Sequence, residues 1–354
     1  MWPIRVLVAD DCPIARGLIQ SILEQDPRIK VVAAVGNGQE ALHWVQKESI
    51  DLLSLDINMP VMDGLETITR IMACKPLPIV VISGTAGSET AFKALSRGAL
   101  EVIAKDEIDY EHPQVFRRKI MLLSTVKVKQ QTAAKVEPAP TPPGNVQPLF
   151  PRIGVVVIAS STGGPKVLAA ILRGLPKGFP CPVLIAQHIV PGFIHSLIKW
   201  HSGLTPLPIV LAKAGERPQA GTIYYAQPEY HLTLNERGEF VLTAPTAVEF
   251  FCPAGDKLLT SAAQVYGKRT IAIVLTGIGE DGARGAGAVH AAGGVVIAQD
   301  AATSIVYGMP KAVADAGFAH HILPAGEIDG MIVRLLSSKS QDENCRQSPV
   351  TRSV

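Results

Sequence analysis

The sequence predicts an α/β chain folded as two doubly wound domains with mostly parallel sheets. Three observations carry that expectation. Over the first 130 residues, strand-like apolar runs alternate with helix-like segments at spacings of 20 to 25 residues. A proline-rich stretch then interrupts the pattern, and a second β-then-α series follows it. Repeated β-then-α units give parallel strands covered by helices on both faces, joined by right-handed crossovers.

The first-half strands are expected at Val6–Ala9, Val31–Val35, Leu52–Ile57, Ile79–Ile82 and Val102–Ala104. Between Thr132 and Pro151 lie six prolines, at 138, 140, 142, 143, 148 and 151. Proline lacks an amide N–H and restricts φ, so this piece reads as a semi-extended linker. Strands of the second half are expected at Ile153–Ala159, Val183–Gln187, Ile271–Thr276 and Val295–Ala298, with a shorter β-like piece at Ile223–Ala226. The divisions expected are a domain over 1–130, a linker over 131–151, a domain over 152–338 and a polar tail over 339–354.

Composition excludes several classes. The chain has 354 residues, 47% hydrophobic and 18% charged, which suits packed cores rather than disorder. A net charge of +2 does not point to nucleic acid or to a membrane surface. The five cysteines are scattered without CxxC spacing, against a disulfide scaffold or a structural zinc site. No apolar run approaches the ~18 residues of a membrane span, and no secretory leader pattern precedes Ile4. A cytoplasmic protein that is not integral to a membrane is expected. The basic cluster Arg117-Arg118-Lys119 reads as a solvated helix face.

Polar residues cluster at predicted strand ends. Asp10 and Asp11 follow the first strand, Asp56 the third, Ser83 the fourth and Lys105 the fifth. In a doubly wound sheet, the carboxyl ends of neighbouring strands open on one crevice. Three carboxylates there repel one another, and a hard oxygen-liganded cation such as Mg²⁺ relieves the repulsion. A hydroxyl and an ammonium beside them suit a phosphoryl group. Either acid alone is also explained by capping the helix entered at Pro13. Capping does not explain the matching positions of Asp56, Ser83 and Lys105.

With these residues and the segment Leu55-Asp56-Ile57-Asn58-Met59-Pro60, the first half resembles a two-component receiver domain of flavodoxin-like fold. The resemblance implies that Asp56 accepts phosphate from a histidine kinase. It implies that Asp10, Asp11, Asp56 and the backbone carbonyl of Asn58 hold Mg²⁺, and that Ser83 and Lys105 sense the phosphoryl group. The family usually has proline where Asp106 stands.

The second half carries a different set. Ser161 follows the strand at 153–159, His188 follows the one at 183–187, and Asp281 follows the one at 271–276 by a glycine-rich loop. A serine needs an imidazole to take its proton and a carboxylate to orient that imidazole. The chain order Ser, His, Asp differs from that of α/β-hydrolases, and the residues before Ser161 lack the first glycine of GxSxG. Thr162-Gly163-Gly164-Pro165 opens a helix and offers free N–H groups to an oxyanion. Taken singly, Ser161 is explained as a helix cap, His188 as a core histidine, Asp281 as a turn acid, and Ser160 competes with its neighbour. Gly277-Ile278-Gly279-Glu280-Asp281-Gly282 also matches GxGxxG, with Asp300 at a plausible ribose-binding distance. That dinucleotide reading leaves Ser161 and His188 unexplained, and the motif falls late in its domain.

The second half resembles the catalytic domain of the chemotaxis protein-glutamate methylesterases, a Rossmann-like α/β/α sheet. The likeness rests on Ser160-Ser161-Thr162-Gly163-Gly164, Gln187-His188, Pro191-Gly192-Phe193, Leu275-Thr276-Gly277, Asp281-Gly282, Ala298-Gln299-Asp300 and Tyr307-Gly308-Met309-Pro310. It implies a Ser161–His188–Asp281 triad with oxyanion contacts from the backbone near Thr162, Gly163 and Ile278. The implied substrates are glutamate methyl esters of methyl-accepting chemoreceptors, with deamidation of receptor glutamines as a second activity and no cofactor for the esterase chemistry. It implies a chemotaxis histidine kinase as phosphodonor, recruitment to receptor arrays, and a receiver that covers the catalytic edge until phosphorylated. Ala159, Ile278 and Glu280 depart from the family's usual Gly, Met and Asn, and Cys252–Asp256 departs from an Arg-Pro-Ser-Val-Asp-like segment. The Cys252–Asp256 departure bears on receptor specificity, and those at Ala159, Ile278 and Glu280 motivate the alternative of a receiver fused to a catalytically impaired binding module.

Overall fold

The computed structural model describes residues 3–84, 88–128, 153–246, 249 and 251–337. The expected linker over 131–151 and tail over 339–354 lie outside the described residues.

Strands β1 (Ile4–Ala9), β2 (Ile29–Val35), β3 (Leu52–Leu55), β4 (Ile79–Ser83) and β5 (Glu101–Ala104) form one sheet in the order β2-β1-β3-β4-β5, paired parallel throughout. This is the flavodoxin-like order, whose switch point lies between β1 and β3. β3 and β4 are buried along their whole length because helices cover both faces, which is why they read as continuous apolar runs. The covering helices are α1 (Pro13–Glu24), α2 (Gly38–Lys47), α3 (Gly64–Cys74), α4 (Ser88–Arg97) and α5 (Gln114–Ser124). Their starts are written locally. Asn37 accepts the Glu40 N–H and Asp63 accepts the Glu66 N–H, each with an acid three residues on. At α1, Pro13 supplies the first turn and Cys12 is the cap; neither Asp10 nor Asp11 caps it.

The second sheet has seven parallel strands in the order β14-β13-β12-β6-β7-β9-β8. They are β6 (Val155–Ser160), β7 (Val183–Gln187), β8 (Ile209–Leu211), β9 (Ile223–Tyr225), β12 (Thr270–Val274), β13 (Val295–Gln299) and β14 (His321–Leu323). A separate antiparallel hairpin joins β10 (His231–Leu234) to β11 (Phe240–Thr243). The short β8 and β14 and this hairpin were not among the expected strands. Helices α6 (Gly164–Gly174), α7 (Ile194–Ser202), α8 (Gly255–Tyr266), α9 (Ala283–Ala291), α10 (Met309–Asp315) and α11 (Ile328–Ser337) flank the sheet. From β6 the chain runs outward through β7 on one side, then returns to β12 on the other. The switch point therefore lies between β6 and β12.

The two sheets meet through α4 and α7. The Phe92 ring stacks on Trp200 at 5.8 Å and meets Phe193 edge-on at 6.1 Å. Ile278, Ile305 and Val306 join the apolar cluster of Ile103, Ile108 and Phe116. The basic cluster of α5 is not simply solvated. Arg117 bonds the Gln25 side chain, and Lys119 lines a cavity between the two halves. Among the described residues, no helix is long and apolar enough to cross a membrane.

Candidate active site

In the first domain, the β1/β3 switch point collects most of the predicted cluster. Lys105 Nζ lies 2.8 Å from Asp10 Oδ2 and 3.0 Å from Asp56 Oδ1. The Asn58 N–H donates to the other Asp56 oxygen at 2.9 Å. Burial pushes the Asp56 carboxyl up, and the bond and charge of Lys105 offset this only in part. Burial works to lower Lys105, but its two carboxylate partners outweigh it and raise the ammonium. Ser83 is buried at the end of β4, with its hydroxyl 3.2 Å from the Gly84 carbonyl. Asp11 stays exposed at the rim.

One ammonium thus bridges two buried carboxylates, with Asp11 apart from them at the rim. The donor set is all hard oxygen, so the residues fit Mg²⁺.

In the second domain, Ser161 follows β6, His188 follows β7, and Asp281 sits in the loop after β12. His188 Nε2 lies 2.8 Å from Asp281 Oδ2. Ser161 and His188 line one cavity of about 240 Å³. Ser160 does not line it; the Ser160 side chain is fully buried. Asp281 is held by three further N–H donors: Gly255 at 2.6 Å, Asp256 at 2.9 Å and Gly282 at 3.0 Å. Burial alone would raise the Asp281 carboxyl, but the His188 bond and charge and the N–H donors hold it below the usual carboxylate range. Nε2 of His188 faces the carboxylate, which leaves Nδ1 as the nitrogen able to take a proton.

The turn after Ser161 is shaped by glycines. Gly163 caps α6 with φ +78°, and a Cβ there would meet Ile305 at 2.8 Å. At Gly164 a Cβ would fall 1.9 Å from Ser160 Oγ. The Ser161 N–H is already bonded to the Thr276 carbonyl. The Gly163 N–H donates to the Glu101 carboxylate at 3.0 Å, in a buried bond. Ile278 packs in the cluster between the domains.

Several supporting residues went unassigned from sequence. Gln187 Nε2 donates to the Ser161 and His188 carbonyls, at 3.0 and 2.9 Å. Thr276 Oγ1 donates to the Thr162 carbonyl and accepts the Val306 N–H. Phe251 stacks on the His188 ring at 4.7 Å, nearly parallel. Gln187 and Thr276 stood within quoted motifs, so a signal existed; nothing marked Phe251. The segment Cys252–Asp256 was tied by the sequence to receptor choice, yet its Gly255 and Asp256 amides grip Asp281. Ala159 is tolerated because Gly255 and Gly282 bring no Cβ against its methyl. Asp300 spends one carboxylate oxygen on Thr303 in a local turn, which disfavours the ribose-binding role.

The geometry defines a receiver-type domain docked on a parallel α/β domain that carries a serine, an imidazole and a carboxylate at its switch point. Comparisons agree with both halves. The CheB methylesterase family model matches residues 156–332, and the response regulator receiver domain model matches residues 6–112. A protein-glutamate methylesterase/protein-glutamine glutaminase of Paramagnetospirillum magneticum is 36% identical over 340 residues, 94% of this chain and 96% of its own length. A relative of the same description from Myxococcus xanthus is 37% identical over 344 residues, 94% of each chain. The crystal structure of the Thermotoga maritima CheB methylesterase catalytic domain is 41% identical and covers 52% of this chain and 98% of its own, with a TM-score of 0.50. The chain belongs to the CheB methylesterase family, in the form that carries an N-terminal receiver.

Proposed function

We infer that this chain is a phosphorylation-regulated protein-glutamate methylesterase. It hydrolyses γ-methyl glutamyl esters on chemoreceptors to glutamate and methanol. What supports the reading most is the His188–Asp281 bond, made beside a cavity that Ser161 also lines. His188 Nδ1 takes the Ser161 hydroxyl proton as Oγ attacks the ester carbonyl. Backbone N–H groups at Thr162, Gly163 and Ile278 receive the oxyanion, helped by the α6 dipole. The proton passes from His188 to the leaving methoxide, and an acyl-enzyme remains. Water, deprotonated by the same imidazole, then releases glutamate. Asp281 holds the ring and stabilises the imidazolium. A receptor glutamine follows the same route with ammonia as leaving group, giving deamidation.

The receiver supplies the switch. A chemotaxis histidine kinase phosphorylates Asp56, while Ser83 and Lys105 contact the phosphoryl group. Asp10, Asp11, Asp56 and the Asn58 carbonyl are the residues to hold Mg²⁺, which neutralises phosphoryl oxygens when bound. Without phosphate the receiver covers the catalytic edge, and phosphorylation shifts the population towards an open form. The protein works in the cytoplasm at receptor arrays, and neither nucleic acid nor a membrane anchor enters its reaction. The test is methanol release from methylated receptors with and without acetyl phosphate. Ser161→Ala should abolish release without unfolding the protein; undiminished release by that variant refutes the nucleophile.

A further inference from the structure

Glu101 opens β5 and belongs to the receiver, yet its side chain enters the catalytic cavity. It is 7% exposed, and Oε2 accepts the Gly163 N–H at 3.0 Å across the domain boundary. The amide it takes lies two residues after Ser161, at the N-terminus of α6. Ser161, His188 and Gln187 line the same cavity as Glu101. We propose that Glu101 is an intramolecular ligand of this site: a tethered glutamate that holds the subsite for the substrate's glutamyl carbonyl. The inference rests on the methylesterase reading and names the chemistry of its repression.

The product of that reaction is a glutamate side chain, and Glu101 is one. Its carboxylate suits an N–H arranged for an oxyanion, because both are anionic oxygens at a helix N-terminus. It is inert there: an ionised carboxylate has no leaving group, and its charge resists nucleophilic attack. Tethering makes it a competitor whose local concentration is set by domain docking rather than by solution. The position also ties it to the switch. Glu101 opens β5, and Lys105, the residue paired with Asp10 and Asp56, directly follows that four-residue strand. A change at Asp56 that draws on Lys105 therefore acts on the element that carries the plug. Substrate and Glu101 exclude each other, so repression takes the form of a raised apparent KM with kcat unchanged.

The test uses the full chain without phosphodonor. Glu101→Ala removes the carboxylate. Glu101→Asp keeps the charge and withdraws it by one methylene from the Gly163 N–H. Both variants should lower the KM for methylated receptor by about tenfold, the weight of one buried charge-assisted hydrogen bond, and leave kcat at the wild-type value. Acetyl phosphate should then stimulate them far less than wild type. Labelling of Ser161 by a fluorophosphonate probe should quicken in both variants without phosphodonor. Unchanged KM and labelling rate in the two variants overturn the proposal, as does full repression retained by Glu101→Asp. A failure of the underlying reading looks different: wild type with acetyl phosphate then releases no methanol.

Discussion

Replacing Asp281 by asparagine tests the site at its most connected atom pair. Oδ1 accepts the Asp256 and Gly282 amides, and Oδ2 accepts the Gly255 amide and faces His188 Nε2. Asparagine has one acceptor oxygen and one NH₂. With NH₂ at the Oδ1 place, two buried amides lose their acceptor; at the Oδ2 place, only Gly255 does. Each orphaned buried donor costs about 1–3 kcal/mol, so the second orientation wins. The NH₂ then points at His188 Nε2, which must give up its proton and become the acceptor. The proton moves to Nδ1, so the imidazole can no longer take the Ser161 proton that the proposed mechanism assigns to it. A misplaced tautomer in a serine–histidine–aspartate site costs about 10⁴ in kcat, near 5 kcal/mol of barrier. The fold should lose only about 1–3 kcal/mol for the single orphaned amide. Single-turnover methanol release measures the first quantity, and urea unfolding the second. A kcat within tenfold of wild type would refute the role given to Asp281.

Two further outcomes follow from the same geometry. Asp56→Asn removes the proposed phosphate acceptor beside Lys105 and should abolish stimulation by acetyl phosphate while leaving basal methanol release; persistent stimulation places the switch elsewhere. His201 is fully buried between Tyr225 and the Pro165 carbonyl, and burial lowers its pKa from 6.5 to about 4. The unfolded chain therefore takes the proton first as pH falls, so its stability contribution is complete above pH 6.5 and drains away down to about pH 4, in all about 3 kcal/mol. The urea midpoint of the wild type should drop across that window and that of His201→Gln should drop less; parallel curves refute it.

Much of this molecule was legible before any coordinates. The β1, β3, β4, β6, β7, β12 and β13 segments announce themselves because both faces are buried, which demands unbroken apolar runs. β8 and β14 are three residues long and half-exposed, too short for periodicity to register. The β10–β11 hairpin had a signal that went unread: alternation at 231–234, then a turn closed by Gly238 at φ +73°. Ser161, His188 and Asp281 were legible because each follows a recognisable strand. Phe251 and Glu101 were not. A phenylalanine in a loop and a glutamate opening a strand carry no pattern, and their roles arise only from what lies opposite.

Local chemistry in the chain is enough to determine which segments become strands and helices, where helices start, and which polar residues stand at strand ends. Those properties depend on neighbours a few positions away, so they are written in order. Strand order is different. It decides that the ends of β6, β7 and β12 share one crevice, that Cys252–Asp256 grips Asp281, and that a receiver glutamate reaches the Gly163 amide. Those contacts join residues 25 to 93 positions apart. Only the packing of two sheets, each burying its own apolar faces, selects them from the many pairings the polymer allows.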